Sequence, residues 1–275
     1  MGALYHRRMR GTLLVPTLNE AGSIGTVLRQ FRETWALANA GPFRDRPVDW
    51  ELLVIDGAST DGTGEIAERE GARVVTERRR GYGRAYRTGF EAAQGDVIAT
   101  MDGDGTYPVA EFPKLVQMLL DEQLDFITTD RLAHLEERAM TMEHRIGNWV
   151  LNTFLRIAYA HYLREAGNPP LRDSQSGMWV FRRSVLERVR ITQDGMPMSE
   201  ELKLEVILNG LRFKEVPIPY AERWAGPPKL SSYRDGRANL EFLLAKRFQV
   251  AKEHGQGRLF VGDLPARSSD RPASR

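Results

Sequence analysis

The stretch Asp96-Val97-Ile98-Ala99-Thr100-Met101-Asp102-Gly103-Asp104 joins a short apolar run to a pair of carboxylates. An apolar run of this length that stops at polar residues is typical of a buried strand. The glycine lets both carboxylates turn toward one point, and hard cations such as Mg²⁺ or Mn²⁺ bind a few carboxylate oxygens together with water and phosphate. The stretch therefore predicts a metal site at a strand end. An Asx turn or a helix N-cap is the alternative, because Pro108 signals a helix start.

The residues around this strand alternate between strand and helix patterns. Short apolar runs predict strands at 12–15, 51–55, 73–75, 96–101 and 125–128. Helices are predicted at 24–31, 62–69, 83–93 and 109–120. We expect Pro16 to stop the first strand and Ser23 to cap the first helix. Strands that alternate with helices through short loops indicate an α/β fold with a mostly parallel, doubly wound sheet.

The second half of the chain has a looser pattern. Residues 136–165 predict a long helical segment, 178–181 a strand and 211–219 an extended stretch. Further helices are predicted at 183–189, 199–208 and 236–253. Beyond residue 254 the composition shifts to Gly, Pro, Ser and Arg without periodicity, so 255–275 are expected to form a flexible tail.

Composition narrows the classes of function. The 275 residues carry 39 Lys and Arg against 37 Asp and Glu, a net charge of +2, which gives no reason to expect a nucleic-acid partner. The absence of cysteine excludes disulfides, thiolate metal sites and cysteine nucleophiles. No apolar run approaches the roughly 18–20 residues of a membrane span, so we expect no transmembrane segment and a cytoplasmic protein.

Ligands of open α/β sheets bind beyond the carboxyl ends of the strands. Three loops there contain candidate residues. Asp56 could hydrogen-bond a nucleotide base or ribose, with capping of the following turn as the alternative. Gly81-Tyr82-Gly83-Arg84 precedes a helix and offers N–H groups to an anion, with a tight loop as the alternative. The basic run 78–80 is interpreted as a solvated loop.

These loops share their order and spacing with a known family. The shared segments are 16–20, 54–63, 81–85, 101–104, 173–177, 200–201, 215–219 and 223–230. In these segments the chain resembles the family 2 glycosyltransferases of the GT-A fold, in particular the dolichyl-phosphate mannose synthase-like branch. The resemblance covers about residues 11–245. It implies a Rossmann-like, mostly parallel sheet flanked by helices, with acceptor-side helices toward the C-terminus. It also implies a single domain over 1–254, with a nucleotide-sugar-binding half at 11–130 and an acceptor-side half at 131–254.

The resemblance also implies roles for individual residues. Mg²⁺ or Mn²⁺ would be held against the diphosphate by Asp102 and Asp104. The nucleotide sugar would further contact Pro16, Leu18, Glu20, Asp56, Gly81, Arg84 and Gly103. The sugar or acceptor would lie near Arg131, Asp173, Gln175 and Ser176. A mobile loop that closes over the phosphates would contain Arg223 and Lys229.

Departures from the family pattern are informative. Relatives commonly have Asp-Asp-Gly-Ser where this chain has Asp56-Gly57-Ala58-Ser59. The sequence therefore does not identify which nucleotide base is bound. The Gln-x-x-Arg-Trp motif of processive polysaccharide synthases is missing, so polymer synthesis is not expected. The C-terminal membrane spans of many relatives that act on lipid phosphates are also missing.

The resulting hypothesis is a metal-dependent inverting glycosyltransferase that moves one sugar from a nucleotide diphosphate sugar. A GDP sugar is favoured because the resembling enzymes use it, and a UDP sugar stays open. The acceptor is a polyprenyl phosphate or a small molecule. The alternative is a nucleotide-sugar mutase that contracts the sugar ring without an acceptor.

Two further expectations concern the acceptor side. Glu200 and Glu201 are candidates for a catalytic base, with Glu201 preferred, and a helix-capping role is the alternative. The amphipathic segment 144–163, with Trp149, Phe154 and Tyr159, either rests peripherally on a membrane or faces the core. A homo-oligomer is left open.

Overall fold

The structure is a computed structural model that describes residues 8–135, 142–165, 167, 169–226 and 232–253. The strands are β1 (Met9–Thr17), β2 (Val48–Asp56), β3 (Arg73–Thr76), β4 (Val97–Thr100), β5 (Phe126–Leu135), β6 (Trp179–Arg182) and β7 (Phe213–Tyr220). The α-helices are α1 (Ile24–Ala40), α2 (Thr63–Arg69), α3 (Tyr82–Ala92), α4 (Phe112–Asp121), α5 (Met142–Ala158), α6 (Ala160–Glu165), α7 (Met198–Leu208) and α8 (Ser232–Glu253). Short 3₁₀ helices cover Val109–Glu111 and Arg183–Glu187.

The strands form one seven-stranded sheet in the order β3-β2-β1-β4-β6-β5-β7. β6 pairs antiparallel with both β4 and β5, whereas the other pairings are parallel. The expected α/β fold with a mostly parallel sheet is therefore confirmed. Because β6 runs against its neighbours, the segment that precedes it lies at the edge where the parallel strands end. That edge gathers the loops with candidate residues.

The core lies on both faces of the sheet. Alternate residues of β1 separate to the two sides, since Leu13 and Val15 pack with α1 and α4 while Leu14 packs with α3 and the C-terminal helices. This period of two is what a strand buried on both faces requires. Burying such side chains stabilises the fold by about 1.5–3 kcal/mol each. The site at the sheet edge is therefore built on a rigid layer.

Some predicted boundaries are wrong for identifiable reasons. β1 continues through Pro16 to Thr17, because β4 pairs only as far as Leu14 and no ladder partner is lost there. Ser23 precedes α1 without capping it, and its hydroxyl donates instead to the carbonyl of Gly103 at 2.7 Å. The helix predicted at 183–189 is a 3₁₀ helix.

The C-terminal half also differs in detail. The helical segment predicted at 136–165 is two helices, α5 and α6, and residues 136–141 lie outside the described residues. The strands expected at 178–181 and 211–219 are confirmed as β6 and β7. The predicted tail 255–275 also lies outside the described residues, and the division at residue 130 stays a prediction. No helix in the described part of the chain is long and apolar enough to cross a bilayer.

Candidate active site

A cavity of about 270 Å³ opens at the carboxyl edge of the sheet. Loops after β1, β2, β3, β4 and β7 contribute to it, because these parallel strands all end at this edge. Its walls are formed by Pro16, Thr17, Leu18, Glu20, Gly57, Glu77, Arg79, Arg80, Gly81, Tyr82, Ala85, Asp102, Gly103, Asp104 and Arg223. The structure thus brings together most of the residues predicted for the nucleotide sugar.

The two aspartates after β4 are held differently. Asp104 accepts hydrogen bonds at Oδ1 from the amide of Thr106 at 3.0 Å and from its hydroxyl at 2.7 Å, which is the Asx turn considered as the alternative. Its Oδ2 faces the Arg223 guanidinium at 2.7 Å. Asp102 has only a long contact, 3.5 Å, to the Tyr82 hydroxyl. One aspartate is therefore fixed by its own turn and the other is open to a ligand.

Electrostatics at this pair disfavour two free negative charges. Burial raises the pKa of Asp102 to about 7, and the neighbouring charge of Asp104 adds to the effect. A divalent cation between the carboxylates would remove that repulsion. Among the described residues no three His, Cys, Asp or Glu side chains form a metal cluster. A cation here would thus take the two aspartates and complete its shell with water or substrate oxygens.

The loop after β7 crosses this pair. Arg223 forms ion pairs with both Asp104 and Glu20. The amide of Trp224 donates to the carbonyl of Asp104 at 3.1 Å, and the amide of Ala221 donates to that of Thr106 at 3.1 Å. A positive charge thus already stands beside Asp104. Lys229, predicted on the same loop, lies outside the described residues.

Asp56 supports its loop rather than lining the cavity. Its carboxylate accepts from the Ser59 amide at 3.0 Å and from the Ser59 hydroxyl at 2.5 Å, as the turn-capping alternative describes. Asp61 caps in the same way at Thr63. Gly57 is the residue of this loop that reaches the cavity wall.

The Gly81-Tyr82-Gly83-Arg84 segment packs against another loop. A Cβ at Gly81 would lie 2.2 Å from the carbonyl oxygen of Asp194, and one at Gly83 would lie 2.3 Å from that of Gln193. The amides of Gly83 and Arg84 donate to carbonyls of residues 195 and 194. The Arg84 side chain pairs with Asp194 at 2.9 Å. The tight-loop alternative therefore describes this segment, in which the N–H groups of Gly83 and Arg84 bind main-chain carbonyls.

Sequence reasoning missed Glu77. It interpreted the run that contains Arg79 as a solvated loop. Glu77 is buried at the end of β3 and accepts two side-chain hydrogen bonds from Arg79 at 2.8 and 2.6 Å. It accepts a further one from the Thr88 hydroxyl at 2.6 Å. The hydrogen bonds from Arg79, followed by that from Thr88, hold the pKa of Glu77 well below its usual range. An acid two residues before an arginine at a strand end was the available signal.

Arg131 and Asp173 meet at the other end of the site. The Arg131 guanidinium donates to both oxygens of Asp173, at 2.7 and 2.9 Å, and its amide donates at 3.1 Å. Burial raises the pKa of Asp173, but the charge and hydrogen bonds of Arg131 outweigh it and the pKa is lowered. Ser176 pairs with the Thr129 hydroxyl at 2.6 Å. The predicted sugar or acceptor residues thus form one buried network at the start of β6.

Two glutamates at the start of α7 hold neighbouring loops, and neither lines the cavity. Glu201 accepts from the amides of Thr192 and Gln193, both at 2.8 Å, and from the Thr192 hydroxyl. Glu200 is fully buried and accepts from Ser174 and Gln175. Burial raises the pKa of Glu200 to about 8. Both lie in the first turn of α7, as the alternative predicts, although neither makes a cap hydrogen bond, and the choice of Glu201 as a base stays a prediction.

A second cavity, of about 290 Å³, lies between the end of β5 and α5. It is lined by Asp130, Leu132, Ala133, Arg145, Trp149, Asn152, Arg156 and Arg172. Three arginines thus face one aspartate. The Nδ2 of Asn152 is buried without a hydrogen-bond partner. The composition of this wall suits an anion, and sequence reasoning missed it because its residues come from three separate segments.

The outer side of α5 is apolar and exposed. Tyr159, just beyond its end, and Leu155 face the core, whereas Trp149 is 64% exposed. The exposed large apolar side chains of α5 and α8 are Met142, Ile146, Trp149, Val150, Ile157, Leu244 and Phe248. The core-facing interpretation therefore describes one side of segment 144–163, and the contact of the exposed side with a membrane stays a prediction. Apolar side chains grouped in this way are typical of interaction surfaces.

Known proteins share this fold and these motifs. The family model described as glycosyl transferase family 2 matches residues 12–190. The chain is 34% identical over 235 residues to the low-salt glycan biosynthesis hexosyltransferase Agl6 of Haloferax volcanii, covering 85% of this chain and 52% of that protein. It therefore spans about half the length of that relative.

A second relative from the same organism, a dolichyl-phosphate hexose transferase, is 32% identical over 228 residues, which cover 82% of this chain and 89% of that protein. Glucosyl-3-phosphoglycerate synthase from Mycobacterium tuberculosis, solved with Mn²⁺, UDP and glucosyl-3-phosphoglycerate, superposes with a TM-score of 0.66 at 23% identity. That superposition covers 86% of this chain and 80% of that one. The GT-A fold and the resemblance to the dolichyl-phosphate branch are both confirmed. The chain belongs to glycosyl transferase family 2.

Proposed function

We propose that this enzyme transfers a single sugar, with inversion, from a nucleotide diphosphate sugar to a polyprenyl phosphate. The observation that carries the proposal is the pairing of two cavities of opposite character. One has an aspartate pair suited to a cation, and the other has three arginines beside an exposed apolar helix face. Asp130 lines the second cavity, and its neighbour Arg131 lies near enough to Asp102 for its charge to oppose the rise in the pKa of that carboxyl.

The donor would occupy the first cavity. Pro16, Leu18 and Gly57 offer an apolar wall to the nucleoside, and Arg79 and Arg80 add positive charge beside it. Asp102 and Asp104 would hold Mn²⁺ or Mg²⁺, which supplies Lewis-acid stabilisation of the diphosphate leaving group when bound. The aspartate pair fits this role, because Asp104 already faces a cation in Arg223.

The chain's own residues would stabilise charge during transfer. The transition state has oxocarbenium character, and negative charge builds on the departing diphosphate. Arg223 stands at the mouth of the cavity, beside Asp104 and Glu20, where that charge would develop. Preorganised positive charge at this point is commonly the largest catalytic contribution.

A phosphate acceptor is consistent with the burial of the two glutamates that were considered as bases. A phosphate oxygen is already ionised at neutral pH and attacks without losing a proton to the enzyme. Glu200 and Glu201 are both buried and engaged with loops. The three arginines of the second cavity would bind the phosphate, and the apolar side of α5 would rest on the membrane surface beside the isoprenoid. The relative named dolichyl-phosphate hexose transferase supports this acceptor class.

The nucleotide is the less constrained part of the proposal. The sequence resemblance favours GDP, whereas the structural neighbour was solved with UDP. Because Asp56 caps its own turn, its carboxylate does not distinguish the two bases in this structure. A thermal-shift screen of GDP, UDP and dTDP sugars, with and without Mn²⁺, identifies the donor.

The transfer itself is tested with vesicles. The protein is incubated with the donor from that screen, Mn²⁺ and vesicles that contain dolichyl or undecaprenyl phosphate. We expect a lipid-linked sugar and one nucleoside diphosphate per transfer. A soluble glycoside formed equally well without vesicles contradicts the lipid acceptor. A nucleotide-sugar isomer formed without release of nucleoside diphosphate supports the mutase alternative instead.

A further inference from the structure

A lysine is buried beneath the segment that precedes β6. Lys203 of α7 is 2% exposed, and its Nζ donates to the carbonyl oxygens of Asp173, Ser174 and Ser176 at 3.1, 2.7 and 2.8 Å. An ammonium group has three N–H donors, so all of them are used on one short stretch of main chain. Burying a charge is costly unless it is fully hydrogen-bonded. The Lys203 side chain therefore has a role beyond packing, which is to bind this stretch of main chain.

The loop that Lys203 holds, residues 173–177, lies between Arg131 and Asp102. At its first residue, Asp173 forms the ion pair with Arg131. At its last residue, the amide of Gly177 donates to the Tyr107 hydroxyl at 2.7 Å, and a Cβ built there would lie 3.5 Å from Oδ1 of Asp102. One end of this 173–177 loop thus touches the ion pair and the other adjoins the metal-site aspartate.

We propose that Lys203 is a positioning residue for sugar transfer, which fixes the 173–177 loop so that Arg131 and Asp102 keep their separation. The proposal rests on the proposed function for the identity of the two substrates. Lys203 itself touches neither cavity wall, so it acts through the main chain that it binds. A shift of about 1 Å between reacting groups can cost roughly 10²-fold in rate.

The groups around Nζ of Lys203 favour a protonated amine at this position. Burial lowers the pKa of Lys203, and the charge of Asp173 opposes the effect. Trp179 of β6 places its ring 5.8 Å from Nζ. Because three carbonyl oxygens accept from Nζ at once, the protonated amine is the form that this geometry requires. A methionine of similar length would keep the packing and remove every donor.

The test compares three variants of the full chain. Lys203→Met removes the donors, and Lys203→Arg keeps a positive charge with N–H groups. Lys246→Met is the matched control. Lys246 of α8 makes a partly buried ion pair with Glu205 of α7, and this pair does not involve the 173–177 loop. Each is assayed for Tm, Mn²⁺-dependent donor binding, and kcat and KM with the lipid acceptor.

We expect Lys203→Met to lower kcat by about 100-fold while donor affinity changes less than about threefold. Lys203→Arg should recover at least about a tenth of wild-type kcat, and Lys246→Met should keep kcat within about threefold. A Lys203→Met enzyme with wild-type kcat overturns the proposal, as does an equal loss of kcat in Lys246→Met. If Lys203→Met does not fold, Lys203→Gln takes its place under the same criteria.

Hydrogen exchange separates this proposal from the proposed function. Amide exchange at residues 173–177 reports how firmly the loop is held and needs no acceptor. We expect exchange there to be at least about tenfold faster in Lys203→Met than in Lys246→Met. Unchanged exchange overturns the positioning role even if lipid transfer is observed. Faster exchange together with no lipid transfer by the wild type contradicts the acceptor alone.

Discussion

In the proposed function both cavities bind a phosphate, and their walls differ in charge. In the first, the carboxylates of Asp102 and Asp104 line the wall and Arg223 stands against them. In the second, Arg145, Arg156 and Arg172 face the single carboxylate of Asp130. Paired carboxylates suit a diphosphate that is accompanied by a divalent cation, whereas arginines bind a phosphate directly. This difference is why the proposed function places the leaving group in the first cavity and the nucleophile in the second.

The largest expected effect comes from breaking the acidic wall. Asp102→Asn or Asp104→Asn should leave the fold intact and lower Mn²⁺-dependent turnover by about 10³-fold or more, because a cation loses one of its two carboxylates. Turnover and calorimetric titration of nucleotide with Mn²⁺ measure the change. Asp61→Asn, which alters a turn cap outside the cavity, is the control. Full activity in both Asp102 and Asp104 variants would place the site elsewhere.

The next effect comes from the basic wall. Arg145→Ala or Arg156→Ala should raise KM for the lipid phosphate by about 10- to 100-fold, since a charge-assisted hydrogen bond is worth about 1.5–3 kcal/mol. Donor affinity should not change, because neither residue lines the first cavity. Arg237→Ala serves as the control, because Arg237 is an exposed arginine paired with Glu241 on α8. Loss of donor binding in Arg145→Ala would contradict the division between the cavities.

A smaller effect is expected at the apolar side of α5. Ile146→Glu combined with Trp149→Ala should lower binding to vesicles by about tenfold, because apolar area is lost from the membrane contact. Sedimentation with vesicles measures the bound fraction. Leu37→Glu is the matched control. Leu37 is also a highly exposed apolar residue, but it lies on α1, far from α5 in the sequence. Equal loss of vesicle binding in the control would contradict this surface.

The smallest effect concerns pH and Glu200. Its pKa is about 8 in the folded protein against 4.5 ordinarily, so between these values the folded state binds the extra proton and stability falls as pH rises. Each fully titrating proton contributes a slope of up to about 1.4 kcal/mol per pH unit. Glu200→Gln should therefore flatten the fall in unfolding free energy between pH 5.5 and about 7.5. Urea unfolding at several pH values measures this, and parallel curves for both proteins would contradict a neutral, buried Glu200.

The sequence predicted the first cavity better than the second. Asp102 and Asp104 are neighbours in the chain and follow a strand of clear apolar pattern, so their position could be inferred locally. Arg145, Arg156 and Arg172 meet only because α5 packs beside the end of β5, which no local pattern encodes. The run 78–80 is exposed, as the solvated-loop interpretation predicts, but nothing in the sequence showed that Arg79 and Arg80 also line the cavity.

α7 shows why Lys203 could not be predicted. Every residue from Met198 to Ile207 is buried, including Glu200, Glu201, Lys203 and Glu205. Charged residues within a helix ordinarily indicate a solvated face, and this helix has none over that stretch. Glu201 and Lys203 bind main-chain groups of loops outside the helix, so only the tertiary structure reveals their roles.

The reversed direction of β6 has a consequence for exchanging specificity between relatives. β6 follows the 173–177 loop in the chain. One of its hydrogen-bonding neighbours is β4, the strand that leads into Asp102. A chimera joined anywhere between β5 and β6 would pair a β4 from one parent with a β6 from the other. We therefore expect that acceptor preference cannot be exchanged between relatives as a separate segment. The central strands of the sheet, which support the proposed metal site, would have to be exchanged with it.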